Sequence, residues 1–182
     1  MTAPISHHEA LTRMVAALED GSVPVGARAI VIAPTTAVDT NAYQADDALT
    51  GVLTLTDAAN VNGGSGRIVF SQILDLLNAN SALSIEAFIF NVTPAGAAAA
   101  NAAFTFSDAD MAAIQGRILF TDNATIGAAG SITSRHYQSD RVVPFTCASD
   151  SKNLYVQFIL RTGTPTFGAA TQIVPSFRVE QD

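Results

Sequence analysis

The sequence predicts a mainly β protein: an antiparallel β-sandwich of jelly-roll type with a short helix and an N-terminal helical and extended arm. Three observations predict this fold class. From about residue 49 onwards, short runs alternate apolar and polar residues, Gly, Ser, Asn and Asp separate these runs, and the sequence has no repeated strand–helix units of a doubly wound sheet. We therefore expect an arm at residues 1–40 and a sandwich domain at residues 41–182.

The arm contains the clearest helical pattern of the N-terminal region. In HEALTRMVAALE (residues 8–19) four apolar residues recur at helical spacing, and the following DGS stops the pattern. The next stretch, VPVGARAIVIAP, favours an extended strand or arm. The apolar stripe must lie either on the domain, which is somewhat favoured, or on a neighbour, and its residues are the candidate contacts with another subunit or with another protein. The stripe consists of Leu11, Met14, Val15 and Leu18.

The strands of the domain follow with a period of two. In LTGVLTLTD (49–57) leucines alternate with threonines, and in ALSIEAFIFN (82–91) Phe88 and Phe90 make the second face apolar too, which predicts a strand end covered on both sides. Pro144 and Pro175 predict edge strands or bulges. The other predicted strands are a run after the Gly-rich turn VNGGSGR, then RILFTD (117–122), RVVPFTC (141–147), NLYVQFILRTG (153–163) and TQIVPSFRVE (171–180).

One short helix is predicted between strands, in FSDADMAAIQGR. Ser107 is a natural N-cap, Asp108 and Asp110 favour the start of a helix, and Gly116 is suited to its end. The same D-x-D pair is one element of a calcium loop, but the further oxygen ligands of such a loop do not follow it. Helix capping is the favoured interpretation.

The composition limits the classes of partner. Charged residues make up 14% of the chain, against roughly 25% in an average domain, which favours a surface partly hidden by neighbouring subunits. The alternative is a monomer coated with Ser, Thr, Asn and Ala. The net charge of −7 and the absence of a cluster of Lys or Arg argue against nucleic-acid binding.

The sequence offers no pattern for catalysis, cofactor binding or metal binding. Cys147 follows apolar residues and is interpreted as a buried thiol rather than a nucleophile. His7 and His8 are adjacent and His136 is distant, so a zinc site is not expected. GGSGR (63–67) does not have the ending of a phosphate loop, and G-x-S-x-G is not found. We expect no enzyme activity, no cofactor and no metal.

The N-terminus has no apolar core typical of a secretory signal, and no apolar run reaches the roughly 18 residues of a membrane span. We therefore expect a protein made and kept in a cytoplasm, without a membrane partner. The most plausible small ligand surface lies in SITSRHYQSDR, with Arg135, His136 and Tyr137. The alternative for this stretch is a solvated loop or a subunit contact.

Two apolar runs are joined by residues 91–103, NVTPAGAAAANAA, whose side chains offer few hydrogen bonds and almost no reactive groups. Alanine loses no side-chain entropy on burial, and small residues allow another backbone to approach closely. The segment therefore suits a flat contact with another protein, although a solvent-exposed crossover loop remains the alternative. The candidate contact residues are Pro94, Ala97, Ala98, Ala99 and Ala100.

Four pieces of the sequence resemble small virion proteins of tailed bacteriophages, of the capsid decoration or cement type. The pieces are AYQADDALTGVLTL, VNGGSGRIVFSQILD, ALSIEAFIFNVTPAG and FSDADMAAIQGRI, and the resemblance covers about residues 42–122. These are turn and strand patterns, so the resemblance brings no catalytic residues.

The resemblance implies a structural protein at the capsid surface of a virion, made in the cytoplasm of a host bacterium. Its implied partners are the major capsid protein and copies of itself. Closed symmetry is the default for such assemblies, and we expect a homotrimer at a threefold site. The alternative function is a tail, baseplate or head-fibre module that binds glycans of the host surface.

Overall fold

The computed structural model describes residues 28–76, 83–121, 123–128 and 131–182. These residues form antiparallel sheets and one short helix, so the prediction of a mainly β fold is confirmed. The elements are β1 (Arg28–Ile32), β2 (Leu53–Leu55), β3 (Ser65–Asp75), β4 (Ser84–Phe90), α1 (Asp108–Ala112), β5 (Ile114–Phe120), β6 (Asn123–Ala128), β7 (Ser131–Ser139), β8 (Val143–Thr146), β9 (Leu154–Thr162) and β10 (Ile173–Gln181).

The strands form two sheets. A four-stranded sheet has the order β2-β9-β4-β5, and a six-stranded sheet has the order β1-β10-β3-β7-β6 with β8 also paired to β3. The long strand β3 makes this possible because its first part pairs with β8, from Ser65 opposite Thr146, and its second part pairs with β7, from Ser71 opposite Ser139.

The inner faces of both sheets contribute to one hydrophobic core. In β2, Leu53 and Leu55 are buried and Thr54 between them is exposed, as the alternation predicts. The rings of Phe158 in β9 and Phe177 in β10 stack with centroids 6.2 Å apart, so the core joins the two sheets directly. This burial is the main stabilising term of the fold.

Both interrupting prolines lie at sheet edges, as predicted. Pro144 is in β8, which is paired only with β3 among the described residues. Pro175 is in the part of β10 beyond the end of β1, since the β1 ladder stops at Ile32 opposite Phe177. At this open end of β10 the Thr36 hydroxyl donates a hydrogen bond to the carbonyl oxygen of Ile173. A missing proline N–H therefore costs no ladder hydrogen bond.

The structure describes only part of the segment predicted to be an arm, residues 1–40. Residues 28–32 form β1 and pair with β10, and Ile30 and Ile32 pack against the main core, so this part of the segment belongs to a sheet. Residues 1–27 lie outside the described residues, and so does the predicted stripe of Leu11, Met14, Val15 and Leu18.

The short helix begins as predicted and ends earlier than predicted. Ser107 is its N-cap and accepts a hydrogen bond from the Asp110 N–H. The prediction that Gly116 ends the helix is wrong, because the helix ends at Ala112 and Gly116 lies inside β5. A Cβ atom at Gly116 would stand 2.6 Å from Cγ1 of Val143, so glycine is needed where β5 approaches β8.

Candidate interaction surface

The alanine-rich segment returns over its own sheet. We call residues 91–107, between β4 and α1, the alanine loop. Its Phe106 ring lies edge-on to Phe88 and Phe90, with centroids 5.0 and 5.1 Å apart, and Phe104 stacks on Phe88 at 6.0 Å. Phe88 and Phe90 are buried on the outer face of the four-stranded sheet, so the prediction of a strand covered on both sides is confirmed.

The buried carboxylate of Asp110 in α1 holds the alanine loop at two places, one at Ala95 and Gly96 and the other at Ser107. Asp110 accepts hydrogen bonds from the backbone N–H of Ala95 at 2.6 Å, of Gly96 at 3.0 Å and of Ser107 at 3.0 Å. The Ser107 hydroxyl donates a fourth at 2.7 Å. The Ser107 hydroxyl first, then these N–H groups, lower the pKa of Asp110 to about 2 against the opposing effect of burial.

The middle of the alanine loop pairs with a second turn of the chain. The N–H of Asn101 donates to the Ala48 carbonyl at 2.8 Å, and the Ala48 N–H donates to the Ala102 carbonyl at 2.9 Å. The Phe104 N–H donates to the Asp46 carbonyl at 3.1 Å. The alanine loop is therefore held by backbone hydrogen bonds as well as by aromatic packing.

An ionic cluster on the same sheet face holds that second turn. Arg161 contacts Asp46 at 2.6 Å and Glu86 at 2.7 Å, and Arg117 contacts Glu86 at 3.2 Å. The Glu86 side chain is only 8% exposed. The Arg161 guanidinium also lies 5.7 Å from the Phe88 ring centroid, which is cation–π distance. The ion pairs of Arg161 and the aromatic packing around Phe88 therefore lie side by side on this face of the sheet.

The outward side of the alanine loop is small, apolar and nearly uncharged. Ala97 and Ala99 are exposed, whereas Ala98 and Ala100 are half-buried and Pro94 is buried. Val92 is 44% exposed and Met111 in α1 is 56% exposed. We call Val92, Ala97, Ala99 and Met111 the loop surface.

The charge of this region is confined to two aspartates. Between residues 91 and 112 only Asp108 and Asp110 carry charge, and Asp110 is buried. Of the predicted contact residues, the structure thus exposes Ala97 and Ala99 and turns Pro94 inward. These exposed apolar residues on a fixed backbone make the loop surface the candidate interaction surface of the described residues.

The structure does not place Arg135, His136 and Tyr137, the predicted ligand surface, together on one exposed face. This stretch is strand β7, so Tyr137 and its neighbour His136 point to opposite faces of the sheet. Tyr137 is fully buried, and its hydroxyl oxygen accepts a hydrogen bond from the Leu83 N–H at 3.2 Å. His136 contacts Gln72 instead, with Nε2 2.9 Å from Oε1. Arg135 is half-buried, and the three residues form no common platform for a sugar.

Two pockets of the described surface are small. One of about 190 Å³ is lined by Phe70, Leu119, Thr121 and residues 138–140, and one of about 220 Å³ lies beside Thr36 and Val174. Both are below the roughly 300–1,000 Å³ of typical ligand sites. Neither pocket is therefore a stronger candidate than the loop surface.

The described part of the chain contains no arrangement of side chains typical of a nucleophile or of a metal site. Cys147 is buried, and burial raises the pKa of its thiol, as expected for a packing residue. No group of three or more His, Cys, Asp or Glu side chains is placed to hold a metal ion among the described residues. In the same residues, no helix has the length and apolar character needed to cross a membrane.

No protein-family model matches the chain, and no curated protein matches it at a significant level. The assignment of a role therefore depends on the loop surface, the fold and the motifs of the sequence.

Proposed function

We propose that this protein is a structural protein of a tailed-bacteriophage virion, a decoration or cement protein that binds the outer capsid surface. Its partners are the major capsid protein and copies of itself in a homotrimer. The observation that carries the proposal is the loop surface, where exposed Ala97 and Ala99 stand on a backbone fixed by Asp110. A surface held in place before binding loses little entropy when a partner covers it.

We also infer that the two sheets form a sandwich of jelly-roll type. If β6 and β7 are set aside as an addition, the strand orders are β1-β10-β3-β8 and β2-β9-β4-β5. Successive strands then alternate between the sheets except at β4 and β5, which pair within one sheet, and this order is that of an eight-stranded jelly roll, a fold used by viral capsid and lectin domains. The fold alone does not assign a function, so the proposal depends on the loop surface.

The proposed action is mechanical. Each copy lays its loop surface across a boundary between capsid subunits, and alanine adds no side-chain entropy cost to this contact. A standard interface would bury about 1,600 Å². The copies of one trimer bind the same lattice together, so weak contacts multiply through effective concentration. The capsid is stabilised because its subunits can separate only when these contacts break.

Binding to expanded capsids that lack the protein tests the proposal. We expect the purified protein to co-sediment with them and to raise the temperature at which they break open. Ala97→Asp combined with Ala99→Asp should abolish both effects, because two unpaired charges would be desolvated in the contact. The matched control is Ala170→Asp, an exposed alanine in the connection between β9 and β10, which should bind as the parent does.

The outcomes of this experiment test the proposed function and the proposed contact surface separately. If the parent protein does not bind capsids, the proposed function is wrong. If the parent and the doubly charged variant bind equally, the function stands and the loop surface is not the contact. Light scattering of the free protein tests the homotrimer, and a strict monomer at all concentrations would contradict that part.

A further inference from the structure

The Gly-rich turn VNGG (61–64) between β2 and β3 contains the only Asn–Gly pair of the sequence, Asn62 and Gly63. The side-chain amide carbon of an asparagine is open to attack by the backbone nitrogen of the next residue. Glycine hinders this attack least because it has no Cβ atom. Asn62 is exposed, so the carbon that would be attacked is accessible.

The attacking nitrogen, by contrast, is held in place. The Gly63 N–H donates hydrogen bonds to the carbonyl oxygens of Ala148 and Ser151, both at 2.9 Å. Gly63 also has a φ of 68°, which fixes its peptide in a turn conformation that favours glycine. The nitrogen must lose its proton and turn towards the neighbouring side chain in order to react. Both changes require the two hydrogen bonds to break first.

These hydrogen bonds belong to a larger junction between the β2–β3 connection and the β8–β9 connection. Further bonds of the junction run from the Cys147 N–H to the Gly64 carbonyl at 2.9 Å, from the Ala59 N–H to the Lys152 carbonyl at 3.0 Å, and from the Asp57 N–H to Asn153 Oδ1 at 2.9 Å. We call these three bonds and the two of Gly63 the turn latch. Because the bonds support one another, Gly63 is released only when this part of the fold opens locally.

We propose that Asn62 is a site of self-catalysed deamidation that the turn latch keeps unreactive in the folded protein. When the latch opens, the Gly63 nitrogen forms a bond with Cγ of Asn62 and gives up its proton to the solvent. The side-chain nitrogen takes up a proton and leaves as ammonia. Water then opens the resulting succinimide ring to aspartate or isoaspartate. The proposal does not depend on the proposed function.

The product changes the turn permanently. Isoaspartate lengthens the main chain by one methylene group, so the Gly63 N–H is displaced from its two carbonyl partners. Either product also places a new carboxylate in a turn whose positions 61–64 carry no charge. A transient opening of the latch is therefore converted into a lasting change of the β2–β3 connection.

Peptide mapping by mass spectrometry of the full chain tests the site. The protein is incubated in mildly alkaline buffer, with and without concentrated guanidinium chloride, and conversion is followed at every asparagine. We expect Asn62 to convert fastest in the denaturant, and to convert at least about tenfold more slowly in the folded protein because the latch must open first. Asn62→Gln should remove the product from this turn.

A variant of the latch tests the cause of the protection. Asn153→Ala removes the side-chain oxygen that accepts from Asp57 and leaves the Asn–Gly pair unchanged. It should speed conversion of Asn62 severalfold in the folded protein and leave the rate in denaturant unchanged. The matched control is Asn41→Ala, at an exposed asparagine that takes no part in the latch, and it should convert as the parent does.

Each contrary result overturns a stated part of the proposal. If Asn62 converts no faster than the other asparagines in denaturant, it is not a modification site. If the folded and denatured proteins convert Asn62 at the same rate, the turn latch gives no protection. A folded-state rate that is the same in Asn153→Ala and in Asn41→Ala would overturn the role of the latch bonds in that protection.

Discussion

The outer faces of the two sheets differ in how much cover they need from the rest of the chain. The four-stranded sheet turns Phe88 and Phe90 outward, and the segment that follows β4 at once returns Phe104 and Phe106 over them. On the outer face of the six-stranded sheet, the pair of Val174 and Leu74 lies beside the pair of Ser176 and Gln72, so this face mixes apolar and polar side chains. An aromatic outer face is costly to leave in water, so its cover is local and built in, whereas a mixed face tolerates partial exposure.

The prediction with the largest expected effect on stability removes one aromatic ring from each outer face. Phe90→Ala should destabilise the protein by about 3–5 kcal/mol, because Phe90 is fully buried beneath Phe106. Phe70→Ala, at a half-buried residue of the other outer face, should cost about 1 kcal/mol. Chemical denaturation measures both values. Equal losses would mean that the two faces are covered to the same degree.

The sequence predicted the parts of this fold that depend on local alternation. Leu53, Thr54 and Leu55 have the predicted burial, and Phe88 and Phe90 were expected to be covered. A period of two fixes which side chains point inward once a strand exists. The N-cap at Ser107 also follows from local chemistry. These features need no knowledge of distant residues.

The parts that depend on distant partners could not be predicted from local pattern. Strand β7 contains SITSRHYQS, which lacks apolar alternation, and it forms because β3 offers its second half as a partner. Tyr137 is buried for the same reason. The cover of the four-stranded sheet had one usable sign: Phe104 and Phe106 repeat the spacing of Phe88 and Phe90. The four donors around Asp110 come from two segments that only the fold brings together.

A second pair of variants compares charge on the two faces. Glu86→Gln should destabilise the protein by about 1–2 kcal/mol, because a carboxylate that is mostly buried holds Arg117 and Arg161, both of them partly exposed. Glu180→Gln removes a half-buried partner of the exposed Arg67 and should cost less than about 0.5 kcal/mol. Thermal and urea unfolding report both. A larger loss for Glu180→Gln would contradict the view that charge anchors only the covered face.

The third and smallest test concerns acid. The folded pKa of Asp110 is about 2, below its ordinary value of 3.8. Its hydrogen bonds therefore stabilise the fold fully above about pH 4–5, and this contribution is lost as the pH falls through 3.8 towards 2. Asp110→Asn should lower the free energy of unfolding at pH 7, and the gap to the parent protein should narrow as the pH approaches 2.

The control for this test is Asp108→Asn, which changes an exposed carboxylate of the same helical turn. Amide hydrogen exchange adds a local readout, because Ala95 and Gly96 donate to Asp110 and should exchange faster only in Asp110→Asn. If Asp110→Asn kept a constant gap at all pH values, Asp110 would stabilise the alanine loop through packing rather than through its charge, and the loop surface would not depend on an ionised anchor.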